Sequence, residues 1–283
     1  MSETSKRQQL LDDGFCVFPG LLDGGLLARL RLASDRLLDA YPEEERQQRG
    51  NQGSVVRIRF QDRAFAELVA WPPTWAALRE LGFDGARYWA GSVICKEAHS
   101  TRLYWHQDWV WWSEPESADP VPHQLFLMWY LTDTRPENGC LRVLPQSHRR
   151  RLEAHDLIGS HDDGIRHQDP ATAAGYQTLP GEVDVPVTAG DLVVGDSRVL
   201  HAAHANTTGE RRTVLTTWYL PRYAELSERL RASYQGNIEP PPDSLPADEL
   251  AMIQPHLTDY QGDAEPALRS YELSGYLKPA ARG

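Results

Sequence analysis

RYWAGSVIC, residues 87–95, is the first of several short runs rich in β-branched and aromatic residues. Five more runs follow, separated by proline, glycine, asparagine and aspartate: HQLFLMWYLT (123–132), LRVLP (141–145), EVDVPV (182–187), DLVV (191–194) and RTVLTTWYL (212–220). Runs of this composition between such separators are typical of β-strands. Their number and spacing predict a mainly β fold, a sandwich or barrel of jelly-roll type.

The chain before residue 87 has the periodicity of helices instead. An apolar stripe at helical spacing is formed by Leu26, Leu30, Ala33 and Leu37. It predicts a helix over about 24–40 with Asp23 as its N-cap. Residues 42–53 are charged and lack periodicity, which predicts a loop, and two further helices are expected around 63–69 and 74–81.

The length of the chain and the absence of a visible linker predict one domain. A chain of 283 residues is long enough for two domains, but single β-barrels often reach roughly 200–250 residues. No linker is visible, so we expect residues 1–283 to form one domain, with the helical N-terminal third packed on a β-core from about 87 to 221. Residues 149–180 are a long excursion of the kind that often forms a functional loop.

Composition excludes several classes of protein. With 41% hydrophobic and 24% charged residues, the chain has the balance of a soluble globular protein. The net charge of −11 argues against nucleic acid or an anionic membrane as the main partner. The start has no apolar stretch of signal-peptide type, which favours a cytoplasmic location. The partner we expect is a small molecule, bound by a monomer or a homodimer.

A candidate metal site comes from two distant segments. His106 and Asp108 are two residues apart, so both point to the same face of an extended strand. His201 lies in a second strand-like segment about 95 residues further along. Two imidazoles and one carboxylate form the facial triad of non-haem Fe(II) oxygenases. Zinc is the rival metal, because catalytic zinc sites use the same ligands.

A candidate anion site lies just beyond, in the run that begins with Arg212. This residue has the same strand parity as Val214, Thr216 and Trp218. If that face is buried, the guanidinium needs an anionic partner. Its planar fork suits a carboxylate, and a dicarboxylic co-substrate would satisfy it. The neighbouring Arg211 is then expected at the surface.

These motifs resemble the phytanoyl-CoA dioxygenase family of Fe(II)- and 2-oxoglutarate-dependent oxygenases. The resemblance covers most of the chain and depends on the order and spacing of four segments. They are DGFCVFPG (13–20), WHQD (105–108), ENGCLRVLPQSH (137–148) and AGDL (189–192) followed by His201, Asn206 and Arg212. The family implies a double-stranded β-helix core, a cupin-like fold.

The resemblance also implies roles for individual residues. His106, Asp108 and His201 would be the iron ligands, and Arg212 would bind the far carboxylate of 2-oxoglutarate. Lys96 matches a lysine that reaches the co-substrate in several relatives.

Two positions depart from the family pattern. Gln146 stands where the family usually has glycine, which concerns a turn more than the chemistry. His204 lies three residues after His201, on the opposite face of a strand, so only one of the two can be the ligand.

Tryptophans are concentrated around the metal segment. Four of the nine in the chain lie between positions 105 and 112. Trp105 and Trp112 are candidate contacts for a lipophilic or ring-containing substrate, whereas core packing is the alternative. The expected pocket walls are residues 42–62, 109–124, 149–180 and 222–262.

The resemblance implies an enzyme that oxidises, and by default hydroxylates, an unactivated C–H bond of a small molecule. Such an enzyme would serve natural-product or small-metabolite biosynthesis, with succinate and CO₂ as co-products. Fe(II), 2-oxoglutarate and O₂ would be its cofactor and co-substrates. Epimerisation, cyclisation and desaturation stay open as outcomes. A non-catalytic binding protein and a zinc hydrolase are the alternatives from other classes.

Overall fold

The structure is a computed structural model that describes residues 4–157, 164–238, 240–271 and 277–279. Its strands are β1 (Phe15–Phe18), β2 (Ser54–Arg57), β3 (Arg87–Lys96), β4 (Leu103–His106), β5 (Leu125–Tyr130), β6 (Leu141–Leu144), β7 (Arg150–Arg151), β8 (Val183–Val185), β9 (Leu192–Asp196), β10 (Leu200–Ala203), β11 (Arg212–Leu220) and β12 (Lys278–Pro279). Its helices are α1 (Lys6–Asp13), α2 (Gly24–Asp39), α3 (Glu43–Gln48), α4 (Arg63–Val69), α5 (Pro72–Glu80), α6 (Glu153–Leu157), α7 (Glu228–Gly236) and α8 (Ala247–Ile253).

Two antiparallel sheets form the core. The larger sheet has six strands in the order β1-β9-β5-β11-β3-β2, and the smaller has four in the order β4-β10-β6-β8. Each run predicted as a strand contains one, so the mainly β jelly-roll with flanking helices is confirmed. The helical N-terminal part contributes β1 and β2 as the two edges of the larger sheet.

Alternate residues of the larger sheet face different surroundings, as the strand period of two requires. One face carries buried apolar side chains such as Val93, Leu127 and Leu215, which belong to the same core as α2 and α4. The opposite face lines a cavity. The helices therefore support the sheet from behind and leave its other face for function.

Most predicted helices have the expected bounds. The Asp23 carboxylate accepts a hydrogen bond from the backbone N–H of Leu26 at 2.7 Å and caps α2. The loop predicted for 42–53 is wrong, because α3 and a 3₁₀ turn over Gly50–Gln52 occupy it. Three glutamates in the first turn of α3 favour a helix N-terminus, and α3 buries no side chain, so no apolar periodicity marked it.

The excursion at 149–180 contains α6 and two 3₁₀ turns, Ile165–His167 and Ala174–Tyr176. Residues 158–163 of this segment lie outside the described residues. Within the described ranges, no helix is long and apolar enough to cross a membrane.

Candidate active site

A cavity of about 290 Å³ is lined by strands of both sheets. On the larger sheet its lining follows alternate positions, including Ser92, Ile94 and Lys96 of β3 and Arg212, Val214, Thr216 and Trp218 of β11. The predicted parity of Arg212 therefore agrees with the structure. The smaller sheet contributes residues of β4 and β10, among them both histidines of the candidate metal site.

Strand pairing brings the three candidate metal ligands together. His106 ends β4 and lies opposite His201 of β10, and their ring centroids are 4.1 Å apart. Asp108 follows two residues after β4, with Oδ1 3.7 Å from Nε2 of His106 and 4.0 Å from Nε2 of His201. One ligand atom from each residue lies within 4.8 Å of the other two. Donors at such separations fit around one ion with bonds of roughly 2 Å.

Backbone carbonyls fix the tautomer of both histidines. Nδ1 of His106 lies 3.1 Å from the carbonyl oxygen of Tyr104, and Nδ1 of His201 lies 3.1 Å from that of Val199. A carbonyl oxygen only accepts hydrogen bonds, so each Nδ1 carries the proton. Nε2 of each ring faces the cluster and is the atom placed to ligate a metal.

Trp218 orients the carboxylate of Asp108. Its indole Nε1–H donates a hydrogen bond to Asp108 Oδ2 at 2.7 Å. The other oxygen, Oδ1, is the one that faces the two imidazoles. This division of the two oxygens favours a carboxylate that binds a metal through one atom.

Lys96 and Arg212 form a buried cationic pair beside this cluster. Lys96 donates to the carbonyl oxygen of Thr101 at 2.6 Å, and Arg212 Nη2 donates to that of Gly139 at 2.7 Å. The Nε atom of Arg212 is buried and has no hydrogen-bond partner among the described residues. None of the described carboxylates lies within 4.0 Å of either cation. The carboxylate of a bound ligand would supply the negative charge and the hydrogen-bond acceptor that the described residues do not provide.

The competing candidates lie elsewhere, as expected. Arg211 forms ion pairs with Asp35 and Asp39, each at 2.7 Å, on the outer side of the sheet. His204 Nε2 lies 2.6 Å from Asp184 Oδ1 and does not line the cavity. Strand geometry therefore separates His201 from His204.

The predicted tryptophans do not line the cavity, and this part of the prediction is corrected. Trp105 packs with Leu144 and Leu200 in a small core, because it precedes His106 and faces the opposite side of β4. Trp112 is buried in another apolar cluster. Since β4 ends at His106, strand parity does not extend to residue 112.

The indoles that do line the cavity are Trp89 and Trp218. Trp218 shares the parity of Arg212, a signal that was available from the sequence. Trp89 was not predictable, because the β3–β11 ladder shifts register between Trp218 and Tyr219, opposite residues 88–90.

Two of the four expected pocket walls are present. Segment 42–62 contributes Arg49 and Arg57, and 109–124 contributes Val110. The described parts of 149–180 and 222–262 contribute no lining residue, and Arg269 and Tyr271 lie there instead.

The site fits a ferrous ion and an organic dicarboxylate. Its donor set, two imidazole nitrogens and one carboxylate oxygen, is the one that non-haem Fe(II) oxygenases use, and the partnerless Nε of Arg212 suits a carboxylate. A jelly-roll with this cluster between its sheets defines the class of iron- and 2-oxoglutarate-dependent oxygenases, and the chain is an oxidoreductase of that class. The sequence profile of the phytanoyl-CoA dioxygenase family matches residues 10–214, and the chain belongs to this family.

One protein of similar sequence and two solved structures show what this chain is similar to. Ectoine dioxygenase of Nocardia farcinica is 26% identical in an alignment of 212 positions that covers 69% of this chain and 70% of that protein. Among solved structures, the carbocyclase SnoK from nogalamycin biosynthesis has a TM-score of 0.57 at 23% identity, covering 78% of this chain and 84% of that one. EctD from S. alaskensis, solved with 2-oxoglutarate and 5-hydroxyectoine, has a TM-score of 0.56 at 21% identity, covering 76% and 74%. These structures share the fold.

Proposed function

We propose that this protein is an Fe(II)- and 2-oxoglutarate-dependent dioxygenase that hydroxylates an unactivated C–H bond of a small molecule. The observation that carries the proposal is the meeting of His106, Asp108 and His201 at one cavity that also contains the buried cations Lys96 and Arg212. The first group supplies metal ligands, and the second supplies positive charge for a carboxylate.

The residues of the site would have separate roles. Iron, 2-oxoglutarate and O₂ when bound supply an oxidant for the C–H bond, with succinate and CO₂ as co-products. His106, Asp108 and His201 would hold the metal on one side and leave its other positions toward the cavity. Arg212, with Lys96 beside it, would hold the far carboxylate of the co-substrate. Trp218 keeps Asp108 in its ligating orientation.

The cavity wall would position the substrate and exclude water. Apolar side chains such as Val55, Ile94 and Met128 share the cavity with the metal cluster. A dry wall of this kind limits side reactions of a reactive species and strengthens the electrostatic contacts within the site.

The test is formation of succinate from 2-oxoglutarate by the purified protein with Fe(II) and O₂. We expect His106→Ala, Asp108→Ala and His201→Ala to abolish turnover and iron binding, whereas His204→Ala retains both. Circular dichroism checks that each variant folds. A folded Asp108→Ala variant with unchanged turnover would refute the assignment, and zinc retention without any succinate would point to the hydrolase alternative.

The mass of the product then identifies the reaction. Hydroxylation adds one oxygen atom, whereas desaturation and oxidative cyclisation remove two hydrogens. Epimerisation leaves the mass unchanged and is detected by chromatography of the stereoisomers. A product with no added oxygen would replace the hydroxylase proposal by one of these outcomes.

A further inference from the structure

Three arginines stand at the solvent side of the cavity, apart from the Lys96–Arg212 pair. Arg49 is half-buried, and Arg57 and Arg269 are exposed, yet all three line the same cavity as the metal cluster. We call them the mouth arginines. Asp108 is the single acidic residue among the described residues of the lining. The cavity is therefore cationic in a chain whose net charge is −11.

Among the described residues, the mouth arginines have no acidic partner, whereas about half of the described arginines do. Arg29, for example, pairs with Glu67 at 2.8 Å. Around the mouth arginines, no described carboxylate lies within 4.0 Å of a guanidinium nitrogen. Arg269 donates to the neutral amide oxygen of Asn237 at 2.6 Å. Although the chain is acidic, its described carboxylates do not neutralise these cations at the cavity.

Three separate segments bring these guanidiniums to the cavity. Arg57 ends the edge strand β2, on the same face as Val55 and opposite Ser92 of β3. Arg49 lies between α3 and the following 3₁₀ turn. Arg269 belongs to the C-terminal segment held along 110–112, where Ser270 N–H donates to the carbonyl oxygen of Val110 at 2.8 Å. The positive mouth is therefore built by tertiary structure and not by one basic run of sequence.

The rest of the lining indicates the body of the ligand. Apolar and aromatic side chains accompany the mouth arginines in the lining: Val55, Trp89, Ile94, Val110 and Met128. Such surfaces favour alkyl or ring carbon, whereas guanidiniums favour carboxylate or phosphoryl oxygens.

We propose that the substrate is an organic anion, with an apolar or ring body and a carboxylate or phosphoryl group bound by the mouth arginines. This inference rests on the proposed function, because it takes the position of the reacting carbon from the metal cluster. It also separates two anion sites in one cavity: Lys96 and Arg212 for the co-substrate, and the mouth arginines for the substrate.

Paired probes test this proposal by calorimetric titration. The panel contains aryl and alkyl carboxylic acids with their methyl esters, and phosphate monoesters with their parent alcohols. Titration uses both metal-free protein and Ni(II)-loaded protein saturated with 2-oxoglutarate. We expect acids or phosphates to bind more tightly than their neutral partners, and the preferred pair tells carboxylate from phosphoryl recognition. Added salt should weaken the binding of the charged member alone.

Single substitutions of the mouth arginines test whether these residues bind the anionic group of the probe. We expect Arg49→Gln, Arg57→Gln and Arg269→Gln each to weaken binding of the anionic probe by about three- to tenfold and to leave binding of 2-oxoglutarate unchanged. Arg79→Gln is the matched control, because Arg79 is exposed on α5 and does not line the cavity. It makes the same change in net charge.

The outcomes separate this proposal from the proposed function. A panel in which no acid or phosphate binds more tightly than its neutral counterpart overturns the anionic substrate, even if the protein forms succinate. Equal losses in Arg57→Gln and Arg79→Gln do the same. An anion preference at the mouth arginines in a protein that binds neither metal nor 2-oxoglutarate would instead reject the proposed function alone.

Discussion

Lys96 and Arg212 are direct partners across the β3–β11 ladder, and their side chains share one nearly dry environment. Only 5% of Lys96 and 4% of Arg212 is exposed. Burial, and after it the charge of Arg212, lower the pKa of Lys96 to about 7. Burial also lowers the pKa of Arg212. Keeping both groups charged therefore costs free energy, which a bound carboxylate would offset.

Arg212→Gln tests where the far carboxylate of 2-oxoglutarate binds. Loss of a buried, charge-assisted contact should weaken the binding of 2-oxoglutarate by at least about tenfold. The effect should appear in the apparent KM for 2-oxoglutarate and in its Kd by calorimetry. Arg211→Gln is the control, since Arg211 pairs with Asp35 and Asp39 outside the cavity. Equal losses in both variants would remove Arg212 from the co-substrate site.

Lys96 should make the stability of the ligand-free protein depend on pH. Its pKa falls from an ordinary 10.5 to about 7 in the folded state. Between these values the unfolded chain binds more protons, so this lysine makes the free energy of unfolding rise with pH. Below pH 7 the folded protein bears the full free-energy cost of burying a charged Lys96. Between pH 7 and pH 9 we expect the free energy of unfolding of the parent protein to rise by about 1–2 kcal/mol more than that of Lys96→Met.

Urea unfolding at both pH values measures this difference. Lys6→Met is the control, because Lys6 lies on α1 and does not line the cavity. It should keep the pH dependence of the parent protein. If Lys96→Met retains that dependence too, another group is responsible for it.

Strand periodicity was enough to predict the residues that lie within strands. His106 and Arg212 belong to regular strands, Asp108 lies two residues past one, and the two-residue repeat gave their faces correctly. Further from the end of the strand the same argument failed, as it did for Trp112. The register shift that exposes Trp89 to the cavity leaves no mark in the residue pattern.

Contacts between distant segments account for the rest of what the sequence did not predict. Arg269 lines the cavity because the C-terminal segment is held along Val110 and Trp111 by backbone pairing. Backbone hydrogen bonds carry no side-chain signature, so composition could not place this segment. Helix α3 was missed for a related reason, since a helix that buries nothing shows no apolar stripe.

Trp218→Phe tests whether the hydrogen bond to Asp108 tunes the metal site. The substitution retains a ring and removes the indole N–H that donates at 2.7 Å. Partners of metal ligands are commonly worth roughly 10–100-fold in metal affinity, so we expect a loss of about tenfold. Competition with a chelator of known affinity measures it for Co(II) or Fe(II).

The matched control is Trp89→Phe, a change of the same size in the same cavity. The indole N–H of Trp89 donates to the carbonyl oxygen of Tyr234 at 3.0 Å, away from the ligands. We expect metal affinity to stay within about twofold of the parent protein there, since no contact to Asp108 is lost. Similar losses in both variants would indicate a general effect of cavity packing.

Gln146→Gly tests the turn at position 146, where the family resemblance implies a glycine. Gln146 has a φ of 68°, in the left-handed region where a Cβ costs roughly 1–2 kcal/mol. Glycine removes this strain but gains entropy in the unfolded chain worth about 0.5–1 kcal/mol. We therefore expect the free energy of unfolding to rise by up to about 1 kcal/mol, measured by urea denaturation. Gln146→Ala keeps the Cβ and should show no such gain, so equal stability of the two variants would contradict backbone strain as the cause. Turnover should not change in either variant, because Gln146 does not line the cavity.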